Sequence, residues 1–256
     1  MHITTWNVNS IRAREALVLD WLTTHQPDVL CLQEIKVEEA QFPRAGFEAA
    51  GYHLHLNAQR TYNGVALISK QPLENVTIGL GVEALDAHKR LIAGTLNGVR
   101  IINIYAPNGQ SPEAPAFAFK EQWFKALRAY LNTHHTPDEP LLICGDFNIA
   151  PADLDVWDPT ALTDSVCFHP HEHAWLSDVK DWGLVDVYRQ HDPQTPGFTW
   201  WDYRAASFQR NHGMRIDYFL MTAPLAAKCV GIVPDKAPRK LEKPSDHIPV
   251  TATLQL

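Results

Sequence analysis

Short apolar runs of strand length recur along the chain. They span residues 2–8, 28–33, 52–56, 64–69, 76–78, 91–96, 99–105, 141–145, 215–221, 228–233 and 250–254, and their wealth of Val, Ile and Leu predicts β-strands. Leu96-Asn97-Gly98-Val99 sets Asn-Gly between two such runs, the signature of a two-residue hairpin. Helical periodicity is rarer. In 16–25, Ala16, Leu19 and Leu22 share one face, and in 115–131 Phe119, Trp123, Ala126, Leu127 and Tyr130 recur at mixed spacings of three and four. A third helix is expected over 172–182. Hairpin strands mixed with a few helices predict stacked sheets flanked by helices, and no linker or repeat divides the chain, so 1–256 is expected to form a single domain.

Composition narrows the class. The chain has 256 residues, 45% hydrophobic and 20% charged, which fits a globular protein with enough core to fold without a disulfide or metal staple. No apolar run approaches the roughly 18 residues of a membrane helix, and MHITTWNVNS lacks the pattern of a signal peptide. Cys31, Cys144, Cys167 and Cys229 form no close pair, so buried thiols and a reducing cytoplasm are expected. The formal charge of −7 speaks mildly against nucleic acid. A local basic face would offset that, and carboxylates gathered around a cation would themselves lower the sum.

Polar residues cluster where the strands end: Asn7 to Ser10, Gln33 to Lys36, Tyr105 to Gly109, Asp146 to Asn148, and Ser245 to His247. Asp217 lies inside a strand between Ile216 and Tyr218, where a carboxylate needs a partner. Singly, Glu34 reads as a solvated acid, Asp146-Phe147-Asn148 as a turn, and His247 as a core histidine. Together, four carboxylates (Glu34, Asp146, Asp217 and Asp246), the amides of Asn7, Asn108 and Asn148, a histidine and a tyrosine form an oxygen-rich set. Without paired Cys or closely spaced His among them, such a set favours Mg²⁺ or Mn²⁺ over zinc. Cation, acid, His and Tyr together fit phosphodiester hydrolysis.

The segments WNVNSIRAR, LCLQEIK, YNGVALISK, NIYAPNG, GDFNIAP, WGLVDVYR, FTWWDYR, RIDYFL and SDHIPV, in this order over essentially the whole chain, strongly resemble the exonuclease III family of abasic-site endonucleases. The resemblance implies a four-layer α/β sandwich of two mixed β-sheets flanked by helices. It implies Glu34 as the principal metal ligand with Asn7 near it and Asp246 on the metal side. It implies Asp146 as the acid that activates or orients water, with Asn148 on the phosphate side. Asp217 and His247 match a carboxylate–histidine pair, and Tyr105 matches a donor to the phosphate. Lys120 and Asn108 match accessory site residues. The resemblance leaves open whether Asp146 or the Asp217–His247 pair takes the water proton, and whether one or two ions act.

The implied partner is double-stranded DNA with abasic sites or blocked 3′ ends, handled by a monomer, and the chain start has a bacterial look. Residues 198–215 carry Arg204, Arg210 and Arg215 against a single acid, followed by Lys228, Lys236, Arg239, Lys240 and Lys243; Arg12, Lys36, Lys89 and Arg90 add to the rim. These would supply phosphate contacts. Trp200, Phe208 and Met214 match an apolar pocket for a base-free sugar turned out of the duplex, whereas Trp201 reads as a core aromatic. The chain departs from the family pattern at Cys167-Phe168-His169-Pro170-His171-Glu172-His173. Three accounts stand for it: a surface loop, a zinc site interrupted by Pro170, or an imidazole of His169 or His171 crowding the sugar and leaving only 3′-end cleaning. A lipid or inositol phosphate hydrolase and a non-catalytic DNA-binding module are the rival functions; the basic segment opposes the first, and the retained buried acids oppose the second.

Overall fold

Twelve strands form two six-stranded sheets in the computed structural model, which describes residues 1–256. The strands are β1 (His2–Asn7), β2 (Val29–Gln33), β3 (His53–Asn57), β4 (Val65–Ser69), β5 (Glu74–Ile78), β6 (Leu91–Leu96), β7 (Val99–Tyr105), β8 (Leu141–Asp146), β9 (Leu184–Asp186), β10 (Asp217–Thr222), β11 (Cys229–Pro234) and β12 (Val250–Leu254). One sheet runs β11-β12-β1-β2-β4-β3, the other β5-β6-β7-β8-β10-β9. Each has one parallel pair at its centre, β1 with β2 and β7 with β8, and antiparallel pairs elsewhere. The two parallel pairs are bridged by the helices Ile11–His25 and Pro115–His134, since a parallel connection needs a crossover. The two sheets thus share one wiring, strand–helix–strand followed by an antiparallel pair in which the fourth strand lies inside the third.

Strand alternation sorts the core into layers. Ile3, Val29, Cys31 and Leu67 from one sheet meet Ile101, Leu142, Cys144 and Phe219 from the other in the central layer. The opposite faces pack outward. Trp6, Leu30 and Leu32 lie under the helix Ile11–His25, and Ile102, Ile143 and Tyr218 lie under Pro115–His134 and Pro170–Lys180. The result is a four-layer α/β sandwich.

The hairpin at Asn97-Gly98 forms as its sequence requires. Leu96 pairs with Val99, and both turn residues have positive φ, 51° and 77°. The strand expected from residue 215 begins instead at Asp217, because Ile216 and Arg215 give their backbone groups to Phe147 and Asp155. Strand β9 was not legible; its three residues pair only with β10. The third helix starts earlier than expected, at Pro170. His169 Nδ1 accepts from the His171 N–H, the Glu172 carboxylate accepts from the His169 N–H at 3.0 Å, and Pro170 occupies the first helical position, where its missing N–H costs nothing. The histidine-rich segment is therefore a capped helix start rather than a loop.

Candidate active site

The inward-facing series on each strand changes chemistry toward one end of the sandwich. Ile3-Thr5-Asn7, Val29-Cys31-Gln33, Ile101-Asn103-Tyr105 and Leu142-Cys144-Asp146 each pass from apolar to polar, and β10 enters the same end with Asp217. Two-residue periodicity carries all these side chains into the space between the sheets, where apolar packing stops and a cavity begins. Glu34 follows β2 immediately, and its positive φ of 51° re-aims the chain there. Asp246 and His247 arrive on the segment before β12.

Asn7, Glu34 and Asp146 form one hydrogen-bonded unit. Asn7 Nδ2 donates to Glu34 Oε1 at 2.8 Å and to Asp146 Oδ2 at 2.9 Å, while Asn7 Oδ1 accepts from the Asn9 N–H at 3.0 Å. The reverse amide orientation would set an oxygen against two carboxylates. Asn7 thus clamps the two acids and turns its own oxygen toward the Asn9 N–H. Glu34 Oε2 lies 2.7 Å from the Lys36 ammonium, itself tied to Asn9 Oδ1 at 2.6 Å. Glu34, Asp146 and His247 bring one potential ligand atom each within 4.8 Å of one another. Asp246 lies beside this group, its carboxylate taking the Asn9 amide and the Trp200 indole N–H, both at 3.0 Å. Burial works against its charge, but His247 and those two donors prevail and hold Asp246 below the usual carboxylate range.

His247 is gripped from both sides. Nδ1 lies 2.8 Å from Asp217 Oδ2, and Nε2 lies 3.7 Å from Asp146 Oδ2. Burial alone would strip its proton, but the charges of Asp217 and then Asp146 outweigh it and raise the imidazole well above its ordinary value. In the imidazolium form both ring nitrogens of His247 carry a proton, and both are set against carboxylates. Thr199, not singled out from the sequence although it lies in the FTWWDYR segment, completes the unit. Its hydroxyl donates to Asp217 Oδ2 at 2.6 Å and accepts from the Asp217 N–H at 3.1 Å. Asp146 shifts the other way from most paired acids. Burial raises it first, the charges of Asp217 and Glu34 add, and His247 and Asn7 offset only part.

Tyr105, Asn108 and Asn148 line the cavity beside these acids. Burial and then the charges of Glu34 and Asp146 push the Tyr105 phenol well up, which keeps its proton in place. Arg90 lies over the Tyr105 ring at 4.6 Å and donates to its carbonyl at 3.0 Å, so it braces Tyr105 from below. Asn148 Nδ2 donates to the Ala106 carbonyl, and its Oδ1 accepts from Asn108 Nδ2 at 3.1 Å. Asn148 has a φ of 51°, and its carbonyl is held by Lys120 Nζ at 2.6 Å. Lys120 also donates to the Asn108 carbonyl and to Glu172, and both charged side chains are fully buried. Lys120 is therefore a positioning residue beneath the site. Its partner Glu172 was not found from the sequence.

These groups form one wall of a cavity of about 320 Å³. Trp200, Met214, Ile216, Val166 and Cys167 form the apolar wall, so Trp200 and Met214 stand where expected. Three expectations need correction. Phe208 is outside the cavity and packs edge-on against Trp201 at 5.1 Å; Trp201 is fully buried, as a core aromatic. Arg215 is 1% exposed and pairs with Asp155 at 2.6 Å and Asp186 at 2.7 Å. Met214 and Ile216 face the cavity, so the residue between them faces away and cannot reach DNA. His169 is a helix cap behind the wall, where Val166 and Cys167 stand in its place. His173 is tied to the Ala150 carbonyl at 3.0 Å and His171 is exposed, so the three imidazoles do not converge on a metal. Arg210 is exposed on the basic segment, as expected.

The comparisons with known proteins agree with this geometry. Residues 4–247 match the model of the Endonuclease/Exonuclease/phosphatase family. The chain is 37% identical to exodeoxyribonuclease III of Haemophilus influenzae, covering 98% of this chain and 99% of that one. Among solved structures, the 3′ phosphatase NExo from Neisseria bound to a product DNA hairpin superposes with a TM-score of 0.96 at 42% identity, covering 100% of both chains. An AP endonuclease from Archaeoglobus fulgidus superposes with a TM-score of 0.97 at 38% identity, again covering 100% of both chains. With the sandwich, the paired acids and the Asp–His couple in place, the chain belongs to the Endonuclease/Exonuclease/phosphatase family, in its exonuclease III group.

Proposed function

We propose that this protein is a divalent-metal-dependent DNA repair nuclease that hydrolyses the phosphodiester on the 5′ side of an abasic sugar and also clears 3′ ends of blocking groups and nucleotides. The observation that carries the proposal is the Asp217–His247–Asp146 chain, which stands beside the Glu34 carboxylate on the polar wall of a cavity whose other wall is apolar. A compact sugar without its base fits such a wall and resists extrusion less than a stacked nucleotide. Neither His169 nor His171 lines the cavity, so the alternative, a 3′-end-processing enzyme with weak or no abasic-site incision, is supported by the likeness to the Neisseria 3′ phosphatase and not by crowding from those imidazoles.

A hard divalent cation suits the donors. The acids offer only oxygen, and Glu34 already draws a positive group, the Lys36 ammonium, to 2.7 Å. Glu34 would hold the ion, Mg²⁺ or Mn²⁺, with water and phosphate oxygens completing its shell, and the ion would neutralise phosphate charge as a Lewis acid. The chain's own groups do the rest. Asp146, raised by burial, accepts the proton of the attacking water. The new P–O bond forms as the P–O3′ bond breaks, and the departing 3′ oxygen takes up a proton to leave a 3′ hydroxyl. His247, cationic beside Asp217, donates to a non-bridging oxygen of the crowded phosphorus, and Tyr105 and Asn148 bind the remaining oxygens. Asp246 orients Trp200 through the indole N–H. Every group named belongs to one chain, which supports action as a monomer. No helix is long and apolar enough to cross a membrane, and four free buried cysteines fit a reducing compartment such as the cytoplasm.

The test is cleavage of duplexes carrying an abasic site, a 3′ phosphate or a plain recessed 3′ end, with Mg²⁺, Mn²⁺ or chelator. Metal-dependent cleavage 5′ to the abasic site, lost in chelator and restored by either ion, is expected. Cleavage that survives chelation, or 3′-end removal without any abasic-site cut, would contradict the assignment.

A further inference from the structure

Trp157 and His212 stack face to face beside the cavity mouth, and no step of the reaction uses them. Their ring centroids are 4.0 Å apart with an interplanar angle of 10°. Trp157 is 40% exposed, so His212 covers one face of the indole and much of the rest meets solvent. The stack is anchored to the apolar wall of the cavity. Val156 pairs with Met214, and the Trp157 N–H donates to the Gly213 carbonyl at 3.1 Å. Gly213 lies so close to the buried Trp201 that a Cβ there would sit 2.5 Å from the indole nitrogen, which fixes the path of the backbone leading from His212 into Met214. Exposed Arg210 lies two residues before His212 on the same basic segment.

We infer that the Trp157–His212 pair is a stacking platform for a nucleobase, namely the unpaired base next to the sugar held in the cavity on the cleaved strand. Trp157 follows Val156, the cross-strand partner of Met214, and His212 lies two residues before Met214, so the platform adjoins the apolar wall of the cavity. A large flat indole already stacked on one side offers its other face without having to be ordered first. Every base has a π-face, so the platform accepts any sequence, and it takes neutral stacking rather than a phosphate contact. Its role is to hold a frayed 3′ end open, because a base drawn out of the helix keeps a stacking partner.

This inference rests on the DNA-nuclease reading, and the experiment separates the two. Binding is measured to a duplex whose unpaired 3′-terminal region carries 2-aminopurine beside the sugar that enters the cavity. A matched duplex carries a base-free tetrahydrofuran residue at the same position. Phosphorothioate linkages prevent cleavage, and wild type is compared with Trp157→Ala, Trp157→Phe and His212→Ala. Wild type should quench the 2-aminopurine. Trp157→Ala should weaken the base-bearing duplex about tenfold and change the base-free duplex by less than about twofold, while Trp157→Phe keeps most of the affinity. The slope of log affinity against log salt should be unchanged, since no charge is lost. Equal weakening of both duplexes, no weakening of either, or no quenching in wild type overturns the platform alone. Failure of wild type to bind either duplex overturns the nuclease reading with it.

Discussion

Asp217 holds His247 through a single short contact, Oδ2 to Nδ1 at 2.8 Å, inside a site where both residues are buried. That contact selects which nitrogen faces Asp146 and keeps the ring cationic. Replacing Asp217 by Asn retains the shape but removes the charge. Turnover should fall by about 10² to 10⁴-fold, and the alkaline limb of the pH–rate profile should move to lower pH as the imidazole loses its proton more readily. A profile that keeps its alkaline limb would show that His247 does not act as the acid.

Asp146 sets the opposite limb. Its raised pKa means that it is still partly protonated, and so unable to take a proton, at pH values where an ordinary carboxylate is fully ionised. Activity should therefore decline on acidification at a pH above the usual carboxylate range. Asp146→Asn should reduce kcat by orders of magnitude with little change in affinity for DNA, because the role proposed for the group is toward the attacking water rather than the strand path. A parallel loss of DNA binding, measured by anisotropy, would argue for a grip on substrate instead.

Glu172 and Lys120 form a fully buried ion pair that carries the backbone of Asn108 and Asn148. Glu172→Gln leaves the ammonium without its counter-charge, at a cost of about 3–5 kcal/mol. The double variant Lys120→Met with Glu172→Leu should cost less than either single change in urea denaturation, since no charge is stranded. Its kcat should nevertheless stay low, because the asparagine carbonyls lose their shared donor. Recovery of both stability and kcat in the double variant would remove the positioning role.

Two arginines that look alike in sequence should behave differently. Arg210→Ala, at an exposed position, should weaken DNA binding and lower the salt slope by about one. Arg215→Met should instead lower the denaturation midpoint, because Asp186 loses its ion-pair partner and Asp155 keeps only Arg189, and should leave the salt slope alone. A changed slope in Arg215→Met would place that side chain on the DNA path.

The sequence by itself determined the class of fold and most of the groups gathered in the candidate site. Hydrophobic runs of strand length, the Asn-Gly hairpin and the long amphipathic helix depend on local periodicity and turn chemistry, which neighbouring residues carry. Glu34, Asp146, Asn148, Asp217 and His247 stood out because polar groups at strand ends are conspicuous against apolar runs. Tertiary structure decided the rest, because each remaining role depends on a partner far along the chain. Asn7 became a clamp when Asp146 arrived 139 residues later, and Thr199 found Asp217 across 18 residues. Lys120 met Glu172 across 52 residues, and Asp155 claimed Arg215 across 60. The histidine-rich segment shows the same limit at short range. Pro170 reads as an interruption until Glu172 reaches back to the His169 N–H, and only then do those residues form a helix start that leaves Val166 and Cys167 to wall the cavity. Which face a side chain takes, and which charge it meets there, is set by packing between layers, and that information is not held in any one stretch of the chain.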